Sequence, residues 1–299
     1  MRVIKSVCTN LFFPQSRSDA QAFAGMIGFL KEYGVQSVEC YCDGHQRAGE
    51  LIGRGGMSGV YIGVIPLKEQ KKDLCALEEE ARSAAVMQAK RDMDRADQGG
   101  FDWFMVNSGR RTPGREAQGM AALLRSMEEL FEYRYKKGMT LGIEMEPCDS
   151  ALEAMHLVGG PERALEACRA LEQRGLPLSL VMDSAHTSEE GRDFFQALTL
   201  TRPYCRHIHF ANCRLDDPQD PLYGDKHLGY EAPGGIWTFE AIRDMMKRLE
   251  ALYGDQPLRV GLECLCRQEN PFAWFQSTWE RLPKSLTGAE RKTDGGENG

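Results

Sequence analysis

Short apolar or β-branched runs alternate with longer stretches of helical spacing along most of the chain. The runs are IKSVCTNL, VQSVECYC, GVYIGVIP, FDWFMVNSG, MTLGIEMEP, LSLVMDSAH, CRHIHFANC and LRVGLECL. Between them, residues 18–33, 67–96, 115–137, 151–174, 189–200 and 238–253 have helix-compatible periodicity and composition, and residues 43–54 fit a helix least well. Strands separated by helices pair in parallel through right-handed crossovers, and eight such units close into a (β/α)8 TIM barrel. An open doubly wound sheet is the competing architecture. It collects its ligands at one switch point, whereas the candidate ligands here end four consecutive strands, and neither GxGxxG nor GxxxxGK[ST] occurs. No linker separates a second domain, so residues 1–287 are expected to form one barrel and residues 288–299, GAERKTDGGENG, a disordered tail.

The last four runs each carry a residue able to hold a cation. They are Glu144 in LGIEMEP, Asp183 in LSLVMDSAH, His209 in RHIHFAN and Glu263 in RVGLECL. At the C-terminal ends of barrel strands these side chains converge on one point, and three carboxylates with one imidazole make a divalent-metal site. Strand alternation puts Glu146 on the same face as Glu144 and His207 on the same face as His209. Glu144 is taken as the strand-five ligand because it sits deeper toward the barrel axis, with Glu146 as the alternative and as a candidate for an arginine ion pair. His209 is nearer its strand end, and His207 is read as a structural imidazole satisfied by a carboxylate below the metal. In DxxH, Asp183 binds metal while His186 reaches a substrate oxygen. His45 and His156 are read as surface residues, and His227 as part of a long connection over 212–235 that folds over the mouth and touches substrate.

Oxygen-rich ligation with one nitrogen suits Mn²⁺ first, with Mg²⁺, Co²⁺ or Zn²⁺ also accepted. Such an ion acidifies a C–H bond between a ketone and its neighbouring hydroxyl, and two carboxylates on opposite sides of that carbon can move the proton. Glu144 and Glu263 are assigned that task. In the loop NSGRRTPG, Arg110 and Arg111 are either holders of an anionic group or solvated loop residues.

Charge and cysteine content narrow the class. A net charge of −7 gives no global attraction for nucleic acid, and no stretch is apolar and long enough to span a bilayer. The start, MRVIKSVCTNLFF, reads as a first strand and lacks a secretory signal, so a cytoplasmic location is expected. The ten cysteines are then reduced thiols, and the pairs Cys40/Cys42 and Cys264/Cys266 are too closely spaced for a zinc knuckle.

The segments GMTLGIE, LVMDSAH, HIHFANCR and VGLECL, with HLGYEAPGGIWTFEAI between the last two, resemble the xylose isomerase-like TIM-barrel superfamily over nearly the whole chain. The resemblance is to its sugar isomerase/epimerase branch, typified by ketose 3-epimerases. It implies Glu144, Asp183, His209 and Glu263 as metal ligands, Glu144 and Glu263 as the acid/base pair, and His186, Arg214 and Glu39 as substrate-side residues. The expected activity is metal-dependent isomerisation or epimerisation of a ketose or keto-sugar through an enediolate, in a homo-oligomer with a small carbohydrate as its partner. A lyase of the same superfamily, resembling inosose dehydratases or C-glycoside-cleaving enzymes, is the alternative. An enzyme resembling endonuclease IV needs more strand-end histidines and a phosphate-binding surface, and a metal-binding subunit of a hetero-complex is the non-enzymatic alternative.

Overall fold

In the computed structural model, which describes residues 1–42 and 48–288, eight parallel strands close into a barrel in sequence order. The strands are β1 (Arg2–Cys8), β2 (Ser37–Cys40), β3 (Ser58–Ile62), β4 (Trp103–Val106), β5 (Gly142–Met145), β6 (Ser179–Asp183), β7 (Cys205–Ala211) and β8 (Pro257–Glu263). Each lies within one of the apolar runs or overlaps it. β8 pairs back with β1 from Arg2↔Pro257 to Val7↔Leu262, which completes the closure. The main core lies between the strands and the surrounding helices and is filled by residues such as Phe104, Ile143, Val181, Ile208 and Val260.

Helix boundaries follow local capping chemistry. Helix Ala20–Glu32 starts at Asp19, whose carboxylate accepts from the Gln21 and Ala22 amides, and Thr238 caps Phe239–Tyr253 through the Ala241 amide. Helix Glu116–Lys137 stops at Gly138, where φ is +68° and a side chain would be strained.

Three expected helices are shorter or divided. The stretch 67–96 splits into Val64–Glu69 and Glu79–Gln98, with Lys71 in the left-handed region just past the first. The stretch 189–200 divides between Ser184–Glu189 and Phe194–Thr201, the second capped by Asp193. Only Pro161–Glu172 of the stretch 151–174 is helical. Its first part is a loop wound on Asp149, whose carboxylate accepts from the amides of Ala151, Leu152, Glu153 and Ala154. Pro161 then fills the first helical turn, where its missing N–H costs nothing.

Helix Ala48–Arg54 forms in the stretch that fitted a helix least well, and His45 lies outside the described residues. Helix Pro271–Arg281 follows β8 and was not among the expected helices. It packs an aromatic face, with the Phe275 ring stacked on Trp279. The tail beyond Gly288 also lies outside the described residues. No helix among the described residues is long and apolar enough to cross a membrane.

Candidate active site

Period-2 alternation on β5, β7 and β8 sends two tiers of polar side chains into the barrel. The lower tier holds Glu144, His207 and Arg259, and the upper holds Glu146, His209 and Glu263, with Asp183 joining from β6. His207 stands opposite Arg259, His209 opposite Gly261 and Ala211 opposite Glu263.

The lower tier is closed on itself. His207 Nδ1 is 3.1 Å from Glu144 Oε1 and its Nε2 is 3.1 Å from Glu39 Oε1, while Arg259 Nη1 lies 3.9 Å from Glu144 Oε2. Glu39 is fully buried, and its other oxygen lies 2.7 Å from His209 Nε2. Burial alone would raise the Glu39 carboxyl, but the two imidazoles outweigh it and hold the group well below its ordinary range.

The upper tier is open in a different sense. One ligand atom from each of Glu146, Asp183, His209 and Glu263 lies within 4.8 Å of the others. His209 Nδ1 is 2.8 Å from Glu146 Oε1 and 2.9 Å from Glu263 Oε2. Asp183 Oδ1 accepts from the His186 amide at 2.8 Å, whereas its buried Oδ2 has no hydrogen-bond partner. Burial, and then the charges of Glu263, Asp225 and Glu146 against the opposing pull of His186, push the Asp183 carboxyl up to about 7. An orphaned carboxylate oxygen among repelling carboxylates is a good fit to a divalent cation.

The strand-five carboxylate in this group is Glu146. The structure places Glu144, the expected ligand, one tier too deep, against His207 and Arg259. Being nearer the axis is not the same as being nearer the mouth. Glu146 lies just past β5 but keeps the ladder, its amide donating to Val106 O at 2.9 Å, so it still points inward before Pro147. The arginine ion pair expected for Glu146 falls to Glu144. His207 lies between the carboxylates of Glu144 and Glu39, while Asp183, His209 and Glu263 are brought together.

Of the four residues expected on the substrate side, two border this group. His227 Nε2 lies 3.3 Å from Glu263 Oε1, with Nδ1 3.4 Å from Asp225 Oδ1, and the Asp225 charge with Glu263 raises this imidazole to about 9 against the cost of burial. His186 is cradled by Glu189, 3.3 Å from Nδ1, and Asp225, 3.8 Å from Nε2. His186 is carried to the site by helix Ser184–Glu189 directly after β6, and His227 by the connection 212–235, which folds back over the mouth and is anchored where Arg214 pairs with Gly224 and Gly235 and where Lys226 meets Glu153.

Glu39 and Arg214 are placed elsewhere. Glu39 has both oxygens engaged beneath the upper tier, with no face toward the mouth. Arg214 is held by Asp216 and Asp220, each at 2.6 Å, within its own loop. Arg111 is tied to Ser150 O and Glu116, so it is no free anion holder. His156 is not a surface residue, because its Nδ1 is buried without a partner. The ten cysteines are free, with Cys40 and Cys42 Sγ 3.6 Å apart.

Sequence reading missed Asp225, Glu189, Arg259 and Gly261. The alternation Arg259, Gly261, Glu263 on one strand face carried a signal for the last two, whereas Asp225 and Glu189 are located only by the loop fold.

The family model of the xylose isomerase-like TIM barrel matches residues 26–251. Among solved structures, the chain is similar to apo 3-keto-D-glucoside 4-epimerase, YcjR, from E. coli, with 18% identity, 94% of this chain and 98% of that one covered, and a TM-score of 0.64. An L-ribulose 3-epimerase matches at 13% identity, with 96% and 99% coverage and a TM-score of 0.66. The IOLI protein with a binding zinc atom matches at 12% identity, with 96% and 98% coverage and a TM-score of 0.67. At these identities the likeness establishes the fold. No curated protein matches the chain by sequence.

Proposed function

The chain belongs to the xylose isomerase-like TIM-barrel family, and on that premise we propose that it is a divalent-metal-dependent isomerase or epimerase of a ketose or keto-sugar. The ligand set is Glu146, Asp183, His209 and Glu263. The observation that carries this reading is the pair of carboxylates, Glu146 Oε1 and Glu263 Oε2, that flank His209 Nδ1 beside the orphaned Asp183 Oδ2. These four residues would hold the ion, Mn²⁺ by preference and Mg²⁺, Co²⁺ or Zn²⁺ by ligand type, and it would supply Lewis-acid polarisation of a substrate carbonyl.

The rest is work for the chain's own groups. Glu146 and Glu263 come from β5 and β8, with β6 and β7 between them, so they approach a substrate carbon from different sides. One removes a proton and the other returns one, each at a carboxylate oxygen. Although burial opposes it, the charges of His209 and His227 keep Glu263 well below its ordinary range, so it is in the deprotonated form a base requires. His227 also holds Glu263 Oε1, and His186, cradled by Glu189 and Asp225, offers an N–H to a substrate hydroxyl. Similarity to a 3-keto-glucoside epimerase and a ribulose epimerase supports a small carbohydrate as substrate.

The test is to incubate Mn²⁺-loaded protein in D₂O with a panel of ketohexoses and 3-keto-glucosides and to follow the sugars by NMR and mass spectrometry. Deuterium entering the carbon next to the ketone, with a new epimer or isomer, is the expected result. Release of water or an aglycone would replace epimerisation by elimination. No exchange into any substrate by the metal-loaded protein would overturn the reading.

A further inference from the structure

Glu39 lies on β2, across the barrel from β7, yet its carboxylate touches both imidazoles of that strand. Oε2 is 2.7 Å from His209 Nε2, and Oε1 is 3.1 Å from His207 Nε2 and 2.7 Å from Ser6 Oγ. A carboxylate only accepts hydrogen bonds, so His209 Nε2 must be the donor. Nδ1 also faces carboxylates, Glu146 and Glu263, so it is the Nδ1 proton that a cation in the upper tier would displace, leaving Nε2–H on Glu39 and the lone pair on Nδ1.

The contact depends on a missing side chain. β8 presents Arg259, Gly261 and Glu263 to the interior, and Gly261 pairs with His209. A Cβ at 261 would stand 2.6 Å from Glu39 Oε1 and 2.7 Å from His209 Cδ2, closer than real Cβ contacts allow. Any larger residue would occupy the space in which the carboxylate and the imidazole meet. Glu39 itself is fully buried beneath the site, so it acts on the reaction only through His209.

We propose that Glu39 is the positioning residue of the cation site, that it fixes His209 with Nε2 protonated and Nδ1 aimed at the ion, and that Gly261 is the glycine that makes room for this. The inference rests on the ligand set proposed above. Carboxylate partners of a ligating histidine commonly set about 10- to 100-fold in metal affinity.

The experiment is a Mn²⁺ titration followed by electron paramagnetic resonance on the whole chain, with a thermal melt of each apoprotein alongside. Wild type binds one tight ion. Glu39→Gln, which keeps the volume and removes the charge, weakens Mn²⁺ binding about tenfold, and Glu39→Met, which removes both acceptors, weakens it toward the upper end of that range. Gly261→Ala touches no proposed ligand through its own polar atoms and still weakens binding about tenfold. In the Mg²⁺-loaded wild type, long-range ¹H–¹⁵N spectra place the His209 proton on Nε2, and Glu39→Met mixes the two ring forms.

Affinities of Glu39→Gln and Gly261→Ala within twofold of a wild type that binds one ion would overturn the positioning role and leave the ligand set standing. A wild type that binds no ion would overturn both. If Glu39→Met fails to fold, the other two variants still decide.

Discussion

Glu144 and Glu146 stand two residues apart at the end of one strand, carry the same carboxylate and enter the same barrel, yet their surroundings differ in kind. Around Glu144 the charges are balanced: His207 lies against one oxygen, Arg259 approaches the other while its Nε goes without an acceptor, and Glu39 closes the far side of the imidazole. Around Glu146 the balance fails. Two carboxylates share one imidazole nitrogen, and a third, Asp183, has a buried oxygen with nothing to bond. A buried polar network balanced in charge by the protein is a structural element, and one left with an excess of carboxylates is shaped for a cation the chain does not contain.

Exchanging the two glutamates one at a time tests this contrast most severely. Glu146→Gln is expected to lower turnover about 10³-fold and to weaken Mn²⁺ binding, with the apoprotein melting at or above the wild-type temperature because one repelling charge is gone. Glu144→Gln is expected to keep Mn²⁺ binding and to lose about 3 kcal/mol of stability in urea unfolding, because it leaves buried His207 and Arg259 with one countercharge fewer. The opposite pattern, with metal lost at 144 and stability lost at 146, would restore the deeper glutamate as the ligand.

The fold was largely legible because alternation of apolar runs and helical stretches is a short-range signal, and each expected strand lies on or beside its run. So were the strands whose ends meet in the upper tier. Depth was not legible: period 2 gives the face of Glu144 and Glu146 but not the tier, which depends on how β5 is staggered against β4 and β6. Glu39 was recognised as inward but misplaced toward substrate, since its meeting with His209 joins strands that are not neighbours and depends on a glycine in a third. Composition misled at 151–159, where helix-compatible residues are drawn into a loop by one buried carboxylate, Asp149.

Loading the upper tier is the next test in size. A cation that binds only the folded chain, supplied at about 100 times its dissociation constant, adds about 2.7 kcal/mol, which for a chain of this length raises the melting temperature by roughly 5 °C. Chelation is expected to remove that gain in wild type and in Glu144→Gln, and to change nothing in Glu146→Gln at the same Mn²⁺ concentration. Equal shifts in all three proteins, read by differential scanning calorimetry, would place the ion outside the upper tier.

The smallest effect concerns an imidazole that has what neither His207 nor His209 has, a buried nitrogen with no partner. His207 has a carboxylate at each nitrogen, whereas His156 Nδ1 has none, and the His156 backbone pairs with that of Arg110 in a short antiparallel bridge. Burial first, and then the nearby charges of His186, Lys68 and Arg110, lower its pKa to about 4 despite the opposing pull of Asp149. The folded chain therefore keeps this ring neutral while the unfolded chain takes up a proton below about 6.5. The stability from neutral His156 is present above that value and is lost as pH falls toward 4, by about 1.5 kcal/mol between pH 6.5 and 5. His156→Leu is expected to unfold in urea with a shallower acid-side slope than wild type over that range, by this amount. An unchanged slope would mean that the ring is charged in the folded chain, with a partner for its Nδ1 after all.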